Sequence, residues 1–223
     1  QEAPWPGHNM AFHAVIPCKP CVFRHVRLPR YLWRHSLMKG NVVANSALDT
    51  FTTAVRAAWG ELSSDLVQVT RTQLDRLLAA EPAEPWLASL RADQPESREL
   101  YRDPAHGFVL QAHVERAGTI RTPHDHGLSW VIYGVQDGEV EMTTFARIIS
   151  PSGGVRLVKR DAARVRAGEV QVYLPGDIHQ TECLSPTATL LRFSERDLRA
   201  EDKQFGRLTR YVRRGGVWTV GEP

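Results

Sequence analysis

Short runs of β-type sequence, separated by turn signals, fill the part of the chain that follows residue 97. The runs are rich in β-branched and aromatic residues, and pairs such as Asp137-Gly138 and Pro175-Gly176 lie between them. Many short strands at regular spacing predict an antiparallel barrel or jelly roll, so the fold class is expected to be mainly β. The runs cover residues 107–114, 129–133, 139–145, 155–158, 169–174, 187–193 and 209–212.

Three helical stretches precede the predicted strands. Ser46 and Ser63 suit the N-caps of the first two, since both are followed by apolar residues at helical spacing. Pro85 suits the first turn of the third helix. We therefore expect one domain of residues 38–223, with an N-terminal helical layer at about 46–92 packed on a β-barrel at about 98–220.

Residues 1–37 differ in composition from the rest of the chain. They hold five of the 14 prolines and four of the nine histidines, with no apolar period, which predicts poorly ordered chain. The alternative is a non-native segment, because Met38 precedes more regular sequence and would be a natural start; the intact mass of the native protein would test this. Cys18 and Cys21 have zinc-knuckle spacing, but a single cysteine pair is weak support for a metal site.

Composition limits the partners that we expect. Hydrophobic residues make up 42% of the chain and charged residues 24%, as in ordinary soluble domains. The excess of positive charge lies in the first 37 residues, so neither nucleic acid nor a membrane surface is expected as a partner of the barrel. The cysteine count is low and odd, and no signal peptide or long apolar run is visible, so we expect a cytoplasmic protein. We expect it to be a monomer or a homodimer.

Three histidines fall at positions that favour a shared metal site. His124 and His126 are one residue apart, and strand side chains two positions apart point to the same side. His179 follows a Pro-Gly turn on a later strand and could complete a face of three nitrogens. We therefore expect His124, His126 and His179 to bind a divalent metal ion.

The spacing around these histidines resembles the two cupin motifs. Residues 118–138 contain a glycine, five residues, the His-Asp-His sequence and a turn glycine, and residues 168–179 keep the glycine-to-histidine distance of the second motif. The resemblance implies a double-stranded β-helix, the cupin jelly-roll barrel. Cupins usually add a glutamate ligand where this chain has Val131, or Trp130 if the strand bulges, so the site is expected to hold three histidines and no carboxylate.

Within the cupins, residues from about 98 to 193 most resemble the thiol dioxygenases, the cysteine dioxygenase-like branch. The resemblance implies an iron(II) enzyme that oxidises a small thiol acid to its sulfinate with dioxygen. Arg98 falls on the arginine that holds the substrate carboxylate in that family, and a guanidinium can bind a carboxylate through two parallel hydrogen bonds. Trp130 and Tyr133 are expected to line the substrate pocket, with core packing as the alternative for at least one of them.

Two family features are missing. Val131 replaces the cysteine that forms a thioether cross-link, and the Ser-His-Tyr relay positions hold Thr189, Leu191 and Phe193. We therefore expect apolar surroundings for the metal and no catalytic residue beyond its ligands. These departures leave open a three-histidine cupin that binds zinc, nickel or manganese and acts on a non-thiol molecule as a C–C cleaving dioxygenase, isomerase or hydrolase. A non-catalytic small-molecule sensor ranks third.

Two further polar residues near the motif have structural interpretations. Asp125 is expected to point away from the metal, because it alternates with the two histidines. His113 lies on an apolar strand, which favours a buried histidine with satisfied hydrogen bonds over a fourth ligand.

Overall fold

The computed structural model describes residues 46–151 and 154–221. The predictions for residues 1–37, including Cys18 and Cys21, lie outside the described residues. The helices of the described part are α1 (Ala47–Ala58), α2 (Ser64–Leu78), α3 (Pro85–Asp93) and α4 (Leu198–Lys203). Its strands are β1 (Arg98–Arg102), β2 (Val109–Arg116), β3 (Ile120–His124), β4 (Val131–Asp137), β5 (Glu139–Ile149), β6 (Val155–Arg166), β7 (Val170–Tyr173), β8 (Ile178–Cys183), β9 (Thr187–Ser194), β10 (Tyr211–Arg214) and β11 (Val217–Val220).

The three predicted helices begin at the predicted residues. Ser46 Oγ accepts a hydrogen bond from the backbone N–H of Asp49 at 3.0 Å and caps α1. Ser63 Oγ does the same for Leu66 at 3.3 Å and caps α2. Pro85 is the first residue of α3, where its missing N–H costs no helical hydrogen bond.

Strand pairing defines the barrel. One sheet has the order β1-β2-β9-β4-β7 and the other the order β3-β8-β5-β6, while β10 and β11 form a hairpin. The antiparallel pairs β2–β9, β3–β8, β4–β7 and β5–β6 are nested, as in a long hairpin that is wound into two sheets. This is the topology of the jelly-roll double-stranded β-helix, and it confirms the predicted fold class. Within the described residues, no helix is long and apolar enough to cross a membrane.

The helical layer covers the outer face of the five-stranded sheet. Buried side chains of α1 and α2 pack against those residues of β2, β4 and β9 that point away from the barrel interior. A Cβ on Gly134 of β4 would lie 2.9 Å from Leu78 Cδ1 of α2, so glycine allows this close approach. The contacting side chains include Phe51, Val55, Leu74, Leu77, Leu110, Ala112, Ile132, Leu191 and Phe193.

A second core lies between the two sheets. It includes Val131, Val135, Val140, Met142, Val165, Cys183 and Leu190. This apolar packing fills part of the barrel interior. Tyr133 and Tyr173 belong to the same cluster, and the rings of both contact the ring of His179.

Candidate metal centre

The three predicted ligands meet inside the barrel. His124 ends β3, and its Cα partner across the β3–β8 pair is His179. His126 follows two residues after β3. The ring centroids are 5.0 Å apart for His124 and His126, 4.9 Å for His124 and His179, and 5.1 Å for His126 and His179. One ligand nitrogen from each ring lies within 4.8 Å of the other two, which is close enough for one ion to contact all three.

The segment that carries His124 and His126 is held in place by Asp125. Its buried carboxylate accepts hydrogen bonds from the backbone N–H groups of Gly127 at 3.1 Å and Thr209 at 2.9 Å. Gly127 has a φ of +61°, and a Cβ there would lie 2.7 Å from the carbonyl oxygen of Arg207. Asp125 therefore connects the histidine segment to the chain before β10, which agrees with its predicted structural role.

The hydrogen bonds of the histidines leave nitrogens free for a metal ion. His126 and His179 are buried, and both ring nitrogens of each lack a hydrogen-bond partner. His124 Nδ1 lies 2.8 Å from the carbonyl oxygen of Thr122 and donates a hydrogen bond to it. The other ring nitrogen, Nε2, therefore carries the lone pair. Unpartnered buried nitrogens are costly, and a bound metal ion would satisfy one nitrogen of each ring. The cluster therefore fits a metal ion.

Burial also holds the three imidazoles in the form that binds metals. It lowers the pKa of His124, and it lowers the pKa values of His126 and His179 well below the ordinary histidine range. The rings are thus neutral at pH 7, as metal ligation requires. In the described part of the chain, this is the one group of at least three His, Cys, Asp or Glu side chains that could hold an ion, and it contains no carboxylate.

Two adjoining cavities open beside the cluster. They have volumes of about 340 and about 230 Å³, which suit a small metabolite. His124 lines both, and His126 lines the larger. The residues common to both are Ser97, His113, Arg121, His124 and Arg192.

Arg192 of β9 is one of four arginines that line this space, and it is the partly buried one. Its guanidinium donates a hydrogen bond to Gln111 Oε1 on β2, and its Nε is buried without a partner. Among the described residues it forms no ion pair with a carboxylate. A partly buried, unpaired guanidinium beside a metal-binding cluster is suited to an anionic ligand.

The structure separates the two predicted aromatic pocket residues. Tyr133 lies inside the barrel and lines the smaller cavity, with its ring centroid 5.2 Å from that of His179 and 6.2 Å from that of His126. Trp130 is fully buried on the opposite face, 4.9 Å from the ring of Phe193 in the helix-covered core. Trp130 therefore packs in the core, as the alternative for one of the two aromatics had it, because residues three positions apart on an extended chain point to opposite sides.

The structure does not bring Arg98 to the cluster. Its guanidinium donates to Asp93 at 2.8 Å and to Ser89 at 2.8 Å, both on α3, and it lines neither cavity. Arg98 thus does not occupy the expected position of a substrate anchor. Arg192, which the sequence interpretation did not select, has the position that was assigned to Arg98.

The expectation of apolar surroundings is also wrong. Leu191 and Phe193 belong to the core beneath the helices, whereas Leu190 and Arg192 face the barrel interior. The predicted relay positions therefore lie on the outer face of β9. The cavity walls carry polar side chains of β2 and β9, and the alternating Gln-Ala-His-Val-Glu sequence of residues 111–115 is a signal of them that the site prediction did not use.

The chain is similar to known proteins only through solved structures of low sequence identity. No protein-family model matches the chain, and no curated protein matches it. Matching solved structures include the cupin domain of Schizosaccharomyces pombe Cnp3, with 14% identity, a TM-score of 0.37 and coverage of 50% of this chain and 66% of that chain. KdgF from Halomonas sp. matches with 19% identity, a TM-score of 0.36 and coverage of 45% and 80%.

Peruvianin-I, a cysteine peptidase from the latex of Thevetia peruviana, matches with 14% identity and a TM-score of 0.32 over 40% of this chain. The matched region spans about half of that protein, at 51% of its length. The nested strand pairs by themselves define the fold of this chain as a double-stranded β-helix.

Proposed function

We propose that this protein is a metal-dependent cupin dioxygenase that oxidises a small thiol acid to its sulfinate. The cupin fold with its three-histidine cluster supports a metal-dependent cupin. The observation that carries the proposal is the position of the unpaired Arg192 beside that cluster, on a cavity large enough for a small acid. Dioxygen and a small anion are the proposed reactants.

The donor set supports iron(II) as the proposed metal. Three neutral imidazoles leave the full charge of a divalent ion uncompensated, which favours an anionic ligand such as a thiolate. When bound by His124, His126 and His179, iron(II) would supply the activation of dioxygen, and both oxygen atoms would be added to the thiolate sulfur to give a sulfinate. No other electron donor is needed, because the substrate sulfur supplies the four electrons that reduce dioxygen.

The residues of the chain position the substrate. Arg192, held by Gln111, would bind the carboxylate and so set how far the sulfur reaches towards the histidines. Tyr133 remains protonated, since burial raises the pKa of its hydroxyl, and it can donate a hydrogen bond near His179. His126, His179 and Tyr133 are buried, which strengthens electrostatic interactions beside them.

A second candidate is a three-histidine cupin with zinc, nickel or manganese that acts on a non-thiol acid. The observation that favours it is the interior face of β9, where Leu190 and Arg192 stand and no Ser-His-Tyr relay is present. Oxidative C–C cleavage, isomerisation and hydrolysis are the reactions to compare.

The test combines metal analysis with oxygen uptake. Protein purified without oxygen is expected to contain about one iron per chain and to consume oxygen with carboxylate thiols, with a product that gains two oxygen atoms by mass. His179→Ala should lose both metal and uptake, whereas His106→Ala, at an exposed histidine outside the cavities, should lose neither. Stoichiometric zinc with no thiol-dependent uptake would contradict the dioxygenase assignment, and turnover of diketones or phenolic acids would support the second candidate.

A further inference from the structure

A stripe of polar side chains runs along β2 on the face that looks into the barrel. Gln111, His113 and Glu115 line the cavities, whereas Leu110, Ala112 and Val114 alternate with them and pack beneath the helices. Gln111 and Glu115 are buried. Because an interior surface of this kind is costly unless its polar groups have partners, each member of the stripe needs a partner.

The two ends of the stripe each hold an arginine. Gln111 accepts a hydrogen bond from Arg192, and Glu115 forms an ion pair with Arg121 at 3.0 Å. Arg121 is also paired with Glu96 at 3.1 Å, so its charge is compensated within the protein. Two guanidinium groups, one compensated and one not, thus flank the middle residue of the stripe.

That middle residue, His113, has an unused hydrogen-bond acceptor. Its ring hydrogen-bonds to the backbone of Glu96, and this bond raises the pKa, as a bond donated by imidazole to a carbonyl does. Its Nε2 is buried without a partner and therefore carries a lone pair. Burial, with the charges of Arg192 and Arg121, lowers the pKa of His113 to about 3, so the ring is a neutral acceptor at pH 7.

His113 and Arg192 can contact the same small molecule. His113 pairs with Leu190 and Gln111 pairs with Arg192 across β2 and β9, so His113 and Arg192 are diagonal neighbours on one face. Diagonal Cβ atoms lie about 7 Å apart, within reach of two long side chains. The charges of Arg192 and Arg121 both disfavour positive charge at His113, which favours a neutral donor over an ammonium group.

We propose that His113 is a specificity-determining residue that accepts a hydrogen bond from a hydroxyl group of the substrate while Arg192 binds the carboxylate. This role of His113 rests on the proposed function, because it assumes the same cavity and the same contact between Arg192 and the substrate carboxylate. The substrate class would be a small hydroxy acid, which for a thiol substrate means a thiol acid with a hydroxyl group next to its carboxylate.

Two series of compounds test the proposal, each with hydroxyl, hydrogen or ammonium at the carbon next to the carboxylate. The thiol series is 3-mercaptolactate, 3-mercaptopropionate and cysteine, and the thiol-free series is glycerate, 3-hydroxypropionate and serine. Dissociation constants would be measured by calorimetry on iron(II)-loaded protein without oxygen, so that no turnover occurs. We expect the hydroxyl member of at least one series to bind about tenfold more tightly than the other two.

Variants of His113 test whether that residue causes the preference. His113→Phe and His113→Leu should abolish it, and either one serves if the other fails to fold. His113→Gln keeps an acceptor oxygen and should retain part of it. His106→Phe, which keeps an aromatic ring beside Trp59 outside the cavities, should retain all of it.

The proposal is overturned if no hydroxyl member binds more tightly than its hydrogen and ammonium counterparts, if no member of either series binds, or if His113→Phe or His113→Leu keeps the preference. It is also overturned if His113→Gln loses metal, because His113 would then be a ligand. The proposed dioxygenase activity is contradicted by a different result, namely the absence of oxygen uptake with thiols. A preference for glycerate can still be measured in that case, because the binding experiment needs no turnover.

Discussion

Arg192 is the residue on which binding of an acidic substrate should depend most. Arg192→Gln removes the charge that faces the cavity, so we expect the dissociation constant of 3-mercaptopropionate to rise about 10- to 100-fold, as for a lost hydrogen bond to a charged group. Cysteamine has no carboxylate, and its affinity should change by no more than about twofold. Calorimetry on the iron(II)-loaded protein without oxygen would measure both.

Arg98→Gln provides the matched comparison for this prediction. Arg98 is engaged by Asp93 and Ser89 outside the cavities, so its substitution should leave the dissociation constants of both thiols unchanged. A loss of 3-mercaptopropionate binding in Arg98→Gln but not in Arg192→Gln would restore the original sequence-based assignment. Equal weakening of both thiols by Arg192→Gln would show that its effect is not on the carboxylate.

At the scale of elements, the position of the chain segment after β3 depends on the buried carboxylate of Asp125. Asp125→Ala removes the acceptor for Gly127 and Thr209, and we expect unfolding free energy to fall by about 2–4 kcal/mol because two backbone N–H groups lose a charged partner. Because Asp125 lies between His124 and His126, metal content should fall as well. Urea unfolding and metal analysis would measure the two effects.

Two further aspartate variants make the Asp125 experiment specific. Asp125→Asn keeps one acceptor oxygen and should lose less stability than Asp125→Ala. Asp161→Ala removes an exposed carboxylate from β6 and should change unfolding free energy by less than about 0.5 kcal/mol. An Asp125→Ala protein with unchanged metal content would show that the connection to β10 does not position the two histidines.

The elements that carry the histidines were the hardest to predict. β3 has the sequence Ile-Arg-Thr-Pro-His, which contains a proline and mostly exposed residues, and β8 is short and polar. Neither shows a regular apolar alternation, because His124 and His179, together with polar residues such as Thr181, take inward positions on them. The functional role of these strands thus removed the signal by which strands are usually recognised.

For the whole molecule, buried neutral histidines predict acid sensitivity of the metal-free protein. The pKa of His113 is about 3 in the folded state against 6.5 ordinarily, so between these values the unfolded chain binds more protons and unfolding free energy falls as pH falls. His113 alone should lower the free energy of unfolding by about 2 kcal/mol at pH 5 relative to pH 7, since each unit of pKa difference is worth about 1.4 kcal/mol.

Urea unfolding of the metal-free protein at pH 7 and pH 5 would measure this loss. The pKa values of His124, His126 and His179 are lowered in the same direction and add to it. His113→Gln should reduce the pH dependence by about the amount assigned to His113. An unfolding free energy that is equal at both pH values would contradict the neutral, buried state of these rings.

The sequence by itself determined the three N-terminal helices, most of the strands, the jelly-roll class and the three histidines, whereas α4 was not predicted. These depend on local caps, alternation and motif spacing, which the chain order contains directly. Only the tertiary structure decided which faces of β2, β4 and β9 look inward. The packing places Trp130 in the core and Arg192 and His113 beside the cluster. Arg98, on β1, lies outside the cavities. A strand buried on both faces has no exposed side, so even the alternation on β2 does not tell which set of residues faces the barrel, and the interior face emerges only when the sheets and helices pack.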